Sequence, residues 1–341
     1  MKNLTFYTDE SVIGGHIETG VAEAVDSLAV SLAHDYNVTV VTSQGEHPMP
    51  IQNGKIFGVT YVSTERPAKA IDISNPDIFH NWGDPAILSQ LSRKPQKTVY
   101  TIDKAGTVRW NQLCGYDAIT TVSEAYAEEI RSDYPWVIGI TNGILTEVLN
   151  PATGLLLSAK YDFQNISGKK ACKKRVCQDY GLDSRRPLFL YMGRMTYEKG
   201  ADIALECAEQ IVRYGGQCLY IGTGSVDRNN LPDRCVRIRQ MLHPVKCLNI
   251  LAGSDFLLYP SREEPCGLMP MTACRYGTIP AVTLTGGLKD NMDDAIAVII
   301  HDNINNAIEK CFVSPPKPET GMKRDFSWKT RKAGYQEVYE L

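Results

Sequence analysis

Short β-branched runs alternate with longer amphipathic stretches along this chain, and the alternation pauses once before it starts again. "NLTFYT" reads as a strand, and a Gly-Gly loop leads into "GVAEAVDSLAVSLAHDY". There Val21, Val25, Leu28 and Leu32 fall at helical spacing, which predicts a helix. "NVTVVTS", "PDIFHNW", "KTVYTID" and "DAITTVS" follow as further strands. Such order specifies a mostly parallel sheet with helices on both faces. The pattern halts at "GITNGILTEVLNPATG", where Asn-Gly and Asn-Pro mark turns. It resumes with "PLFLYMGR", "CLYIGTG", "FLLYPS" and "IPAVTLTGG" as strands of a second α/β unit, after a basic helix opened by "NISGKKACKKR". A chain of 341 residues exceeds most single cores, so two domains are expected, divided near residues 142 to 160. The closing "FSWKTRKAGYQEVYEL" is helical by spacing and rich in aromatics.

Charge and composition narrow the classes. A net charge of −3 carries none of the basic surplus of nucleic-acid binders, which makes such a partner an unsupported reading. The start "MKNLTFYTDE" has no apolar core or cleavage site of a signal peptide, and no run reaches the roughly 18 apolar residues of a membrane span. Ten cysteines occur, none before Cys114 and none as CxxC; Cys172 and Cys177 have no second pair to complete a zinc site. The expectation is a cytoplasmic protein with reduced thiols, no metal and no membrane partner.

Ligands of parallel α/β sheets bind beyond the carboxyl ends of the strands, and the distinctive residues here gather at such ends. "YMGRMTYEKG" places Gly193, Arg194 and Lys199 after a strand. A planar guanidinium and a compact ammonium together suit a diphosphate. Gly222 and Gly224 in "YIGTGS" permit close backbone approach, and "TLTGGLKD" offers backbone N–H groups at Thr285, Gly286 and Gly287. In "SREEPCGLMPMTACRYGT", Glu263 and Glu264 precede a helix. Acid there also suits a helix N-terminus, and for Glu263 alone that reading stands beside a functional one. A carboxylate facing a cationic cradle would instead accept hydrogen bonds from sugar hydroxyls.

The set "GRMTYEKG", "YPSREEPCGL", "RYGTIPAV" and "TGGLKD", in order with "DAITTVSEAYAEEI", "TNGILTEVLNPATG" and "FSWKTRKAGY", resembles the bacterial glycogen and plant starch synthases. The likeness runs from about residue 115 onward. It implies an α/β chain of the GT-B fold, two Rossmann-like domains facing across a cleft. Residues 1–142 would form an acceptor domain, 143–324 a nucleotide-sugar donor domain, and 325–341 a helix returning to the first. Arg194 and Lys199 would neutralise the departing diphosphate while Glu264 contacts the donor sugar. Gly20, Asn142, Gly193, Gly222, Gly224, Cys266, Gly267, Leu268, Thr285, Gly286 and Gly287 would line the donor site. No cofactor and no metal are implied beyond the donor itself, ADP-glucose or UDP-glucose.

The first half departs from the family. Where its members carry Lys-Thr-Gly-Gly, this chain has "ETGVAE", so Glu18 replaces the Lys and Glu23 an Asp; Glu18 as a helix cap is an equal reading. The family's His-Asp-Trp-His aligns with "HNWG", matching His80 but placing Gly83, or by another gap Trp82, at the last His. Asp103 in "YTIDK" stands where the family has His. His80 and Asp103 are therefore candidate sugar or acceptor contacts, with a buried structural role the alternative for His80. Near the donor base, Leu242 or His243 takes the place of an aromatic, which leaves the base open. The resulting expectation is a retaining transferase moving a hexose, with glucose foremost, to an acceptor that could be a glycan, a small molecule, a protein or a modified base. A non-catalytic nucleotide-sugar or glycan binder is the alternative.

Overall fold

A computed structural model describes residues 1–9, 20–43, 53–154, 156–301 and 303–341. Glu18 lies outside them. The chain divides into two compact units, Met1–Leu145 with Ser327–Leu341, and Thr146–Phe326.

The first unit contains β1 (Asn3–Thr8), β2 (Asn37–Ser43), β3 (Asn53–Ile56), β4 (Val59–Thr64), β5 (Ile78–Asn81), β6 (Lys97–Ile102), β7 (Ala118–Thr121) and β8 (Ile138–Gly139). They form one sheet in the order β3-β4-β2-β1-β5-β6-β7-β8, parallel throughout except for the β3–β4 pair. β1, β5 and β6 are buried along nearly their whole length, as parallel strands covered on both faces must be. The helix Gly20–Leu32 buries Ala22, Val25, Leu28 and Leu32. Against it packs the helix Trp328–Glu340, whose Trp328 Nε1 donates to Ser27 Oγ at 2.8 Å.

The second unit contains β9 (Leu188–Met192), β10 (Gln217–Ile221), β11 (Cys235–Ile238), β12 (Phe256–Tyr259), β13 (Ile279–Thr283) and β14 (Val298–Ile300). Every pair is parallel, in the order β11-β10-β9-β12-β13-β14. The two-residue period of β9 divides its side chains between two cores: Phe189 and Tyr191 join one, and Leu188, Leu190 and Met192 the other. The basic helix Gly168–Tyr180 covers the second core through Cys172, Val176 and Cys177. Its Lys169 is half-buried, and its ammonium donates to the carbonyls of Ala252 and Tyr276 and to Thr278 Oγ1 at 2.9–3.0 Å. The chain runs from β9 outward to β10 and β11, then returns to the opposite side as β12. The order therefore reverses between β9 and β12, the point at which open α/β sheets hold ligands.

Candidate functional site

Arg194 and Lys199 lie in the loop after β9, and Glu264 lies in the loop after β12. Lys199 Nζ donates to Glu264 Oε2 at 2.9 Å and to the Glu263 carbonyl at 3.3 Å. Glu198 links the other cation, its Oε1 lying 3.2 Å from Arg194 Nη2 and 3.7 Å from Lys199 Nζ. The Arg194 side chain is half exposed (52%), whereas the Lys199 and Glu264 side chains are 17% and 9% exposed. One connected charge cluster thus spans both loops at the reversal point. The backbone ties them as well: the Glu198 carbonyl accepts from Arg262 N at 2.8 Å. Arg262 forks onto Asp202 at 2.7 and 2.8 Å, with its guanidinium 3.5 Å from the Tyr197 ring centroid. From below, Tyr191 donates to the Arg194 carbonyl at 2.7 Å, and Tyr259 to Glu264 Oε2 at 2.6 Å.

The glycines divide into two kinds. A Cβ on Gly222 would lie 1.8 Å from the Gly193 carbonyl oxygen, and one on Gly224 would lie 2.2 Å from that of Met195. Both positions thus need glycine for backbone packing between the β9 and β10 loops, whether or not a ligand also approaches there. Gly193 differs. It holds φ 153°, and a Cβ there meets nothing within 4 Å, so its free face is the one that could receive a ligand. Past β13, Thr285 donates to the Arg262 carbonyl at 3.2 Å, and Gly287 N donates to the Glu264 carbonyl at 2.9 Å. Gly286 adopts φ 46°, and a Cβ on Gly287 would stand 2.6 Å from Cys266 Cα. Asn291 Nδ2 clasps the carbonyls of Cys266 and Gly287, both at 2.9 Å. Buried Cys266, left-handed Gly267 and half-buried Leu268 open the helix Leu268–Arg275 beside that turn. In this way the Thr-Gly-Gly and Pro-Cys-Gly-Leu segments stand side by side.

Apart from Leu242 and His243, the remaining candidates belong to the first unit. Gly20 is exposed at the start of its helix, and Asp103 is half buried just past β6. Asn142 is buried: its Oδ1 accepts from Tyr335 at 3.1 Å, and its carbonyl accepts from Arg331. His80, a candidate sugar or acceptor contact with a buried structural role as the alternative, lies in the core of the first unit. It is fully buried, with Nδ1 2.7 Å from Tyr339 Oη and Nε2 2.6 Å from Thr101 Oγ1. Desolvation lowers its pKa to about 3, so the ring is neutral. At Gly83 a Cβ would come within 2.8 Å of the Tyr7 ring and 3.0 Å of Asp9, so no larger side chain fits the backbone as it stands. Burial pushes the Glu23 carboxyl above its ordinary value. His243 caps the helix Pro244–Gly253 through Val245 N at 3.3 Å, and Leu242 packs on the core.

Glu198, Tyr191, Tyr259 and Arg262 were not singled out from the sequence. Tyr259 closes β12, Tyr191 is the last residue but one of β9, and Glu198 and Arg262 follow those strands, so the strand-end rule itself was the available signal.

The family described as "Glycosyl transferases group 1" matches residues 186–312, which include the whole charge cluster. Among curated proteins, the glycogen synthase of Thermodesulfovibrio yellowstonii is 32% identical over 67% of this chain and 52% of its own length. That of Lacticaseibacillus casei is 32% identical over 77% of this chain and 64% of its own. The chain therefore spans about half the length of the first relatives it matches. Among solved structures, the catalytic domain of starch synthase IV from Arabidopsis thaliana, bound to ADP and acarbose, superposes with a TM-score of 0.83 over 99% of both chains at 20% identity. Anabaena Alr3699/HepE in complex with UDP-glucose gives 0.72 over 100% of both chains at 12% identity. The chain is a glycogen/starch synthase-like member of the GT-B glycosyltransferases.

Proposed function

We propose that this chain is a retaining glycosyltransferase that moves a hexose, with glucose foremost, from a nucleotide diphosphate to an acceptor hydroxyl. The observation that carries the reading is the joining of Arg194, Lys199 and Glu264 at the strand-order reversal of the second unit. Cations there would neutralise the charge that grows on the departing diphosphate. The Glu264 oxygen not held by Lys199 and Tyr259 would accept from sugar hydroxyls. As the anomeric C–O bond breaks, the acceptor oxygen bonds to the anomeric carbon on the same face, and its proton passes to the leaving diphosphate. Catalysis is then electrostatic preorganisation around an oxocarbenium-like transition state. ADP-glucose and UDP-glucose are the donors to test first, because structural neighbours bind ADP and UDP-glucose.

A thermal-shift panel of nucleotides and nucleotide sugars, followed by assay of sugar release from the preferred donor, tests this. Bound ligand raises apparent stability by mass action. One nucleoside diphosphate and its glucose conjugate are expected to raise the Tm, and that conjugate to be turned over slowly with water. Binding without hydrolysis or transfer, across donors and acceptors, would make the chain a binding module. No shift with any nucleotide sugar would remove the proposal.

A further inference from the structure

Glu264 is nine-tenths buried, yet its two oxygens are treated unequally. Oε2 receives both Lys199 at 2.9 Å and the Tyr259 hydroxyl at 2.6 Å. Oε1 has no hydrogen-bond partner among the described residues. Oε1 is not enclosed by protein, so the small exposed part of this carboxylate leaves that oxygen able to accept from a ligand. The residue is not loose: its carbonyl is held by Gly287 N at 2.9 Å, so its main chain is fixed from the β13 side. Main chain and Oε2 together determine where Oε1 points.

We propose that Tyr259 is a positioning residue for the donor sugar: its hydroxyl anchors Glu264 Oε2 and thereby presents Oε1 to the ligand. The inference rests on the reading of Glu264 as the sugar contact. Lys199 alone is a poor anchor, because its ammonium also reaches the Glu263 carbonyl and Glu198, and would turn toward a bound diphosphate. Tyr259 has no such competing duty. It is the last residue of β12, its ring packs against a buried core, and Glu264 is the one hydrogen-bond partner of its hydroxyl among the described residues. Burial, with the adjacent carboxylate adding to it, holds the phenol well above its ordinary range, so it remains a donor. When the diphosphate draws Lys199 away, the tyrosine bond alone keeps the carboxylate aimed. Hydrogen bonds to charged groups are among the stronger ones, enough for this work.

Isothermal titration of wild type, Tyr259→Phe, Glu264→Gln and the double variant with ADP, UDP, ADP-glucose and UDP-glucose separates the roles. Tyr259→Phe keeps the ring and removes only the hydroxyl. It is expected to weaken the preferred nucleotide sugar about 10-fold while shifting the free diphosphate less than about 2-fold. In the Glu264→Gln background the same change should add little, because the two act through one contact. Wild-type affinity in Tyr259→Phe alongside weakened Glu264→Gln would overturn the tyrosine's role and leave the sugar contact standing. Equal loss for diphosphate and nucleotide sugar would make Tyr259 merely structural. Unchanged affinity in both single variants, or no wild-type binding of either sugar nucleotide, would remove the reading of Glu264 and this inference with it.

Discussion

At the scale of single residues, the account depends on which charges meet. Arg194→Ala and Lys199→Ala are each expected to lower turnover of the preferred donor roughly 100- to 1000-fold while far-UV circular dichroism stays unchanged. Near-normal rates in both would withdraw them from the reaction. Glu198 leads to the opposite kind of outcome. Its Oε1 sits between both cations, as a phosphate oxygen would, and so competes with the ligand. Glu198→Gln should tighten binding of ADP or UDP by about 2- to 5-fold, the range of a partly exposed ion pair, with a steeper dependence on salt. Unchanged or weaker binding would show that the carboxylate supports the site. Arg194, Lys199 and Glu264 could be singled out because they follow strands and match the family's motifs, since an Arg and a Lys five apart are by themselves more often a solvated pair. Glu198 and Tyr259 were not, since linear spacing does not say which of two neighbouring acids a lysine faces, nor that a strand tyrosine reaches a carboxylate five positions on.

Among elements, the turns carry the precision. Gly222→Ala or Gly224→Ala would force a Cβ into a carbonyl oxygen and is expected to destabilise the second unit by about 2 kcal/mol or more, read by urea denaturation. The sequence suggested close approach of a ligand at these glycines but not their packing on the neighbouring loop, because a Gly-x-Gly pattern does not say which backbone lies beside it. His80 joins β5, β6 and the closing helix, and its pKa of about 3 lies below the ordinary value of 6.5. Between those values the unfolded chain binds the extra proton, so stability is lost as pH falls through the window. About 2 kcal/mol should disappear between pH 7 and pH 5 from this residue alone, and a His80→Gln variant should lack that component of the urea midpoint shift. An identical pH dependence in the two proteins would contradict the neutral, buried ring. The longer central strands and amphipathic helices were readable from period alone. β11 and β14, four and three residues long at the sheet edges, carry too few alternations to stand out.

For the molecule as a whole, the second unit is one continuous stretch with its own two cores, whereas the first needs the chain's last fifteen residues. Trp328, Tyr335 and Tyr339 are buried there. Ending the chain after Phe326 should raise hydrogen exchange in residues 20–32 and 78–102 and leave residues 188–221 and 256–283 protected. Equal loss of protection everywhere would show that the two units do not hold their structure separately. The two-unit plan was legible because the strand–helix alternation stops and restarts. The closing helix was legible only as a helix by its spacing, and its place came from the family likeness, since periodicity carries no information about a partner three hundred residues away. The most direct test is a crystal structure of the chain with ADP or UDP bound. The account expects phosphate oxygens within hydrogen-bonding distance of Arg194 and Lys199, beyond the ends of β9 and β12. A nucleotide held elsewhere, with those two side chains still paired to Glu198 and Glu264, would contradict it.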